Sequence, residues 1–215
     1  ARAADYQANA ERSTLLVRAE SYEDYLTSLE MELSIAPFDA VGRARIAQLI
    51  NRSNQFNLTT RRCNEQDVER IELSDRHFGW QVRLEDRFAD NGMISVIVVE
   101  RQGASWLIET WLMSCRVLKR GVEGAVLNSL VERARAEGAE WLVGEYLPTP
   151  KNGMVAGHYE SLGFEAVGEI AGVPGSDDGR HAMRWRLPIV GYEAKPVQMT
   201  IRFGNPAAVG TPQSA

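Results

Sequence analysis

Hydrophobic positions change period along this chain, and each change marks an element. Residues 1–20 are polar and rich in Ala, Arg and Glu, which predicts a helical or loosely ordered lead-in. Ser21 followed by Asp24 forms a capping signature for a short helix carrying Tyr25, Leu26 and Leu29. Met31, Leu33 and Ile35 alternate with Glu32 and Ser34, a first strand that Pro37 ends. Asp39 is placed to cap a helix bearing Val41, Ile46, Leu49 and Ile50, and Asn64 with Asp67 to cap a second reaching about Leu73. Phe78, Trp80, Val82 and Leu84 alternate again, and Asn91-Gly92 supplies a turn. The nearly unbroken apolar run from Met93 to Glu100 reads as a strand covered on both faces, and Gln102-Gly103 leads into Trp106–Met113. Val122, Val126, Leu130 and Ala134 recur every four residues, a helix closed by Gly138. A strand over Trp141–Tyr146 follows, then a short helix with Val155, Tyr159 and Leu162, a strand from Phe164, a turn over Gly172–Gly179 and a last strand over Ala182–Leu187. The sum is an α/β (α+β) domain over residues 31–187, with a mixed sheet of about seven strands and about four helices. Residues 1–30 form its lead-in, and residues 188–215, turning to Pro, Gly, Gln and Ser, read as a tail.

Composition narrows the function classes. The 215 residues are 44% hydrophobic and 25% charged, ordinary for a globular chain. A net charge of −5 gives no reason to expect nucleic acid. No apolar run nears the ~20 residues of a membrane span, and the first residues carry no apolar signal core, so a cytoplasmic protein without membrane contact is expected. His77, His158 and His181 are scattered, and neither they nor Cys63 and Cys115 have metal-ligand spacing, so no metal is expected.

Candidate chemistry concentrates in Trp111–Gly124. An apolar strand end runs into a basic loop with Arg116, Lys119 and Arg120, then past Gly121 and Gly124 into a helix. Unpaired N–H groups and a positive dipole end at a helix start, joined by loop cations, suit a phosphate. The same stretch can be a plain strand-to-helix turn. Cys115 lies between strand and loop, where Arg116 and the helix start would favour a thiolate; it can equally be a small buried residue. Cys63, beside Arg61 and Arg62, is the rival thiol. Asn54-Gln-Phe-Asn-Leu-Thr-Thr-Arg-Arg62 is polar without a clean period, a solvated loop or a substrate loop. Pro148–Asn152 is a second loop, whose Asn152 can cap the next helix.

The element order, with Arg120-Gly121 before the long helix and Asn152, Tyr159, Gly163 and Phe164 near the end, resembles the GNAT acyltransferase superfamily. Six further blocks resemble the C-terminal half of the FkbH-like proteins. They are Asn54–Arg62, Asp86-Arg-Phe, Asp90-Asn-Gly, Ser114-Cys-Arg-Val117, Gly144-Glu-Tyr and Pro148-Thr-Pro-Lys-Asn152. That resemblance implies a domain that takes a glyceryl unit derived from 1,3-bisphosphoglycerate and loads it onto the phosphopantetheine thiol of an acyl carrier protein in polyketide biosynthesis. It implies a gap between the strand ending near Arg116 and the strand 141–146 that accepts the extended arm. Arg116, Lys119, Arg120, Gly121, Gly124 and Asn152 would hold its phosphate end. Cys115 would be the nucleophile and Tyr159 the acid for the leaving thiolate, with His158 turned elsewhere. Asn54, Gln55, Asn57, Arg61, Arg62, Thr149 and Lys151 would line the substrate mouth. No tightly bound cofactor is expected; the ligand is the arm of the carrier, or coenzyme A. The FkbH-like family carries an upstream phosphatase module with an Asp-x-Asp signature, which this sequence lacks, so that module belongs to a longer protein or to the pathway. Glu123 stands where the GNAT phosphate loop has a second Gly or Ala, which predicts weak binding of free coenzyme A. Two alternatives remain: a GNAT N-acyltransferase using acetyl-coenzyme A, and a non-catalytic carrier-docking domain.

Overall fold

The computed structural model describes residues 2–53, 55–170 and 181–204, with side chains from Tyr6 onward. The Gly172–Gly179 turn lies outside them. Helices α1 (Arg2–Arg18) and α2 (Tyr22–Ser28) precede β1 (Met31–Pro37). Then come α3 (Arg43–Arg52), α4 (Glu65–Glu72) and a meander of β2 (His77–Asp86), β3 (Ala89–Gln102) and β4 (Ser105–Met113). A one-turn 3-10 helix, Cys115–Val117, leads to α5 (Val122–Ala136) and β5 (Trp141–Tyr146). A second 3-10 turn, Gly153–Val155, precedes α6 (His158–Ser161), β6 (Glu165–Ile170), β7 (Ala182–Pro188) and β8 (Met199–Phe203).

The strands form one sheet in the order β6-β7-β5-β4-β3-β2-β1-β8. Its pairs are antiparallel except β4 with β5 and β1 with β8. Two of the four predicted caps form: Ser21 accepts from the Asp24 amide, and Asn64 and Asp67 exchange bonds in a capping box. Asp39 instead accepts from the Gly42 amide, so α3 starts at Arg43 and Val41 is exposed outside it. The sheet is covered on both faces. One core joins Leu26, Leu33, Trp80, Trp106 and Trp111 to Val126 and Leu130 of α5; the other joins Val96, Val98 and Leu112 to Ile46 and Ile50 of α3 and Val68 of α4.

The ends depart from the sequence reading. The supposed tail supplies an eighth strand, with Met199 to Phe203 opposite Met31 to Ile35. The lead-in is tied to the domain, because Arg12 of α1 is buried on Asp86 at the end of β2.

Candidate active site

The centre of the sheet is opened by a bulge. Val98 pairs with Thr110 but Val99 pairs with Ile108, so Glu109 has no partner on β3. An extra residue bends its strand away from its neighbour. Accordingly β4 and β5 pair from Ser105↔Trp141 to Ile108↔Gly144 and no further. The expected divergence is present, but it is not an open slot. Leu58 N–H donates to Trp111 O at 3.3 Å, Met113 N–H to Phe56 O at 3.2 Å, and Thr59 Oγ1 to Glu109 O at 2.7 Å. On the other side Leu147 N–H donates to Leu58 O at 2.8 Å. The segment Phe56–Thr59 therefore takes the strand edge that an extended thioester arm was expected to pair with.

Several residues assigned to ligand binding instead hold this insert. Asn152 is fully buried; its Nδ2 donates to Asn57 O and Leu147 O, both at 3.0 Å, and its Oδ1 accepts from Thr149 N–H at 2.7 Å. It does not cap the following turn and it touches no open surface. Thr149 Oγ1 accepts from the amides of Lys151 and Asn152, closing their loop. Asn57, also fully buried, donates to Ser53 O and accepts from Thr60 N–H. Arg62 donates to the carbonyls of Ile50 and Asn51 at the end of α3. Arg61 pairs with Glu109 and lies 3.7 Å from Glu145, which also binds Arg184. Asn54 lies outside the described residues.

Sequence reasoning missed these two carboxylates at the fork. Glu145 stood inside the quoted Gly-Glu-Tyr block; Glu109 gave no signal, since a bulge is set by pairing across strands. His77 Nε2 lies 3.4 Å from Glu109, and His77, Glu100 and Glu109 bring ligand atoms within 4.8 Å of one another. Arg61 and Arg76 already answer those carboxylates, so the group reads as an ion-pair network.

Tyr159 does not stand where an acid for a leaving thiolate must. It is 1% exposed, and its ring fills the space over Gly144, where an added Cβ would lie 2.2 Å from it. Burial and then the Glu145 charge drive its phenol far above the usual range, and the Glu145 amide approaches the hydroxyl without completing a hydrogen bond. His158 packs edge-on against Trp111 and Phe56, and burial pulls it down to about 3, so it stays neutral.

Cys115 is exposed, in contrast. It begins the 3-10 turn that Ser114 caps by accepting from the Arg116 amide. It lines a cavity of about 430 Å³ together with Gln55, Phe56, Ser114, Lys151 and Arg52. Three predicted site residues, Cys115, Gln55 and Lys151, thus meet in one place. Cys63 is half-buried against the α3–α4 core, and burial, with the Asp67 carboxylate alongside, pushes it up to about 11.

No family model matches this sequence, and no curated protein does. Solved structures match in fold. The ribosomal-protein-S18-alanine N-acetyltransferase from Escherichia coli superposes with a TM-score of 0.55 at 18% identity, over 73% of this chain and 94% of that one. A GNAT-family acetyltransferase from Streptococcus pneumoniae gives 0.53 at 14% identity, over 73% and 98%. A variant of the spermidine N-acetyltransferase SpeG from Vibrio cholerae gives 0.53 at 12%, over 73% and 94%. The fold is the GNAT fold.

Within that GNAT fold the expected phosphate loop is rebuilt. Gly121 takes the left-handed conformation (φ 83°) before α5. The Glu123 carboxyl group faces the backbone amides of Glu123 and Lys119, so a side chain of the protein sits where a phosphate was expected. Burial raises its pKa above the ordinary range, and the nearby amides offset this only in part. The segment between β7 and β8 lies over the same helix. Lys195 exchanges backbone bonds of 2.9 Å with the Asn128 side chain, and Cβ of Lys195 stands 3.4 Å from where a side chain on Gly124 would begin. Gly124 thus lies within van der Waals reach of this segment, and Asn128 is a further residue the sequence did not single out. Arg120 is buried on Asp86 at 2.9 Å, so it is not a solvated loop cation; Arg116 and Lys119 remain exposed.

Proposed function

We propose that this domain is an acyltransferase that carries its acyl group on Cys115 and hands it to the phosphopantetheine thiol of an acyl carrier protein. The FkbH-like resemblance supplies the acyl donor, 1,3-bisphosphoglycerate: the unit that passes to sulfur is 3-phosphoglyceryl, and hydrolysis of its remaining phosphate ester to leave glyceryl belongs to the phosphatase module of that family. One observation carries the reading: an exposed thiol opens onto a cavity with Gln55 and Lys151, while the fork that would seat a coenzyme arm is filled by Phe56–Thr59.

In the first step the Cys115 thiolate attacks the acyl carbon. A C–S bond forms, the C–O bond to phosphate breaks, and phosphate leaves with the bonding pair, with Lys151 offering positive charge at the cavity. In the second step the carrier thiolate attacks the Cys115 thioester, a new C–S bond forms, and Cys115 departs as thiolate. Because Cys115 is exposed, the arm reaches it from solvent without entering the fork. Tyr159, being buried, takes no part.

The fold itself favours a second reading, N-acyl transfer from acetyl-coenzyme A, since the solved neighbours are acetyltransferases. Transfer assays on Cys115→Ala separate the two. Loss of loading onto a carrier protein supports the thiol relay. Undiminished transfer from acetyl-coenzyme A to an amine supports the second reading, and carrier binding with no transfer by either protein leaves only docking.

A further inference from the structure

A second cavity, on the other side of the Cys115–Val117 turn, lies between α1, the β2–β3 turn and the loop before α5. It measures about 520 Å³ and is lined by Arg12, Arg116 and Arg120, with Asn91, Asp90 and Tyr6. We propose that it binds a small molecule bearing a phosphate monoester. The inference goes beyond the thiol relay and does not depend on it.

Charge carries the argument. Arg12 and Arg120 are 7% and 8% exposed, and both bond the fully enclosed carboxylate of Asp86. That carboxylate is saturated, since it also accepts from the amides of Phe88 and Ala89 and from Asn91 Nδ2. Two guanidiniums therefore share one carboxylate, and one positive charge is left over in the wall. Among the described residues the Arg120 side chain has no other partner, and Arg116 has only a 3.4 Å contact to Ser114 Oγ. Asp90 offsets part of this, but it is exposed at the rim and faces Arg83 at 3.4 Å. Two buried cations that share one counter-ion leave a charge uncompensated, which is costly, and an anion in the cavity removes that cost.

Phosphate suits the donors. Guanidinium forks bond tetrahedral oxyanions in pairs, and a dianion matches the leftover charge plus Arg116. The volume exceeds that of phosphate and lies in the usual range for small-molecule sites, leaving room for an organic body beside Asn91 and Tyr6.

Calorimetric titration of the full chain with inorganic phosphate and with glycerol 3-phosphate, at constant ionic strength, tests the site, with glycerol as the uncharged control. Saturable binding is expected for both anions, tighter for the ester, and none for glycerol. Arg116→Ala, on an exposed residue, should weaken binding about tenfold, the scale of one charged hydrogen bond. Asp90→Asn should tighten it severalfold. Cys115→Ser should leave it unchanged, so failure here is distinct from failure of the relay. Absence of saturable binding, or equal affinity in Arg116→Ala and the unmodified protein, would overturn the proposal.

Discussion

The two thiols sit in opposite environments. Cys63 is held as a thiol by burial and Asp67, whereas Cys115 opens to solvent beside Lys151. Iodoacetamide at neutral pH should therefore alkylate Cys115 well before Cys63 in the folded protein, as peptide mapping would read; faster labelling of Cys63 would contradict the assignment. Asp86 is a fully enclosed carboxylate that ties α1 and the loop before α5 to the end of β2. Burial alone would raise its pKa, but the bonds from Arg12, Phe88 and Asn91 outweigh this and hold it below the ordinary value. A depressed carboxyl stabilises above its unfolded pKa of about 3.9 and loses that contribution as pH falls through the folded value. Urea unfolding should thus show Asp86→Asn costing roughly 3–5 kcal/mol at pH 7, as two arginines lose one partner, with the gap to the unmodified protein narrowing in acid. An equal gap at pH 7 and pH 2 would refute the linkage. Of the residues the sequence singled out, Cys115, Gln55 and Lys151 line one cavity. Sequence reading failed for Asn57, Thr149 and Asn152, because a polar loop residue can serve its own loop as readily as a ligand.

At the scale of elements, the bulge at Glu109 and the inserted segment act together: one opens the fork and the other fills it. Phe56 and Leu58 are buried on one side of the insert, so its apolar positions alternate. That period was hidden among Asn54, Gln55, Asn57 and the threonines, and four residues are too few to separate from a loop. Strand β8 was hidden similarly: Met199, Ile201 and Phe203 alternate inside a stretch whose composition reads as a tail. The meander, the long helix and the caps at Ser21 and Asn64 were legible because each rests on local chemistry. Asn152→Ala should destabilise by about 1–3 kcal/mol, since it strips the buried carbonyls of Asn57 and Leu147 of a donor, and denaturant titration would measure it. A change under half that would mean that water replaces the amide. Free coenzyme A should bind weakly, because the fork is filled by Phe56–Thr59 and the Glu123 carboxyl group stands at the start of α5; calorimetry showing tight binding would favour the acetyl-coenzyme A reading.

For the whole molecule, the proposed carrier protein, of a generally acidic class, would have to be met by a chain with a net charge of −5. The candidate segments carry six cations that could serve as a basic docking face: Arg61, Arg62, Arg116, Lys119, Arg120 and Lys151. The structure divides them: Arg61 is paired with Glu109, Arg120 is buried and shares Asp86 with Arg12, and Arg62 holds the end of α3, while Arg116, Lys119 and Lys151 are exposed, Lys151 beside the thiol. Arg116→Glu with Lys119→Glu should slow transfer to the carrier chiefly through association, and more so at low salt, because screening shortens from ~10 Å at 0.1 M to ~3 Å at 1 M. Transfer to free pantetheine should change little; equal losses with both acceptors would place these residues in the chemistry and not in docking. The account turns on where the acyl group rests, and one measurement reaches that directly. The protein is incubated with the acyl phosphate, quenched in acid, weighed intact and mapped by peptide. The account predicts one acyl group on Cys115, discharged when the acyl carrier protein is added and absent from Cys115→Ala; a label on Cys63, or carrier loading by Cys115→Ala at the unmodified rate, would contradict it.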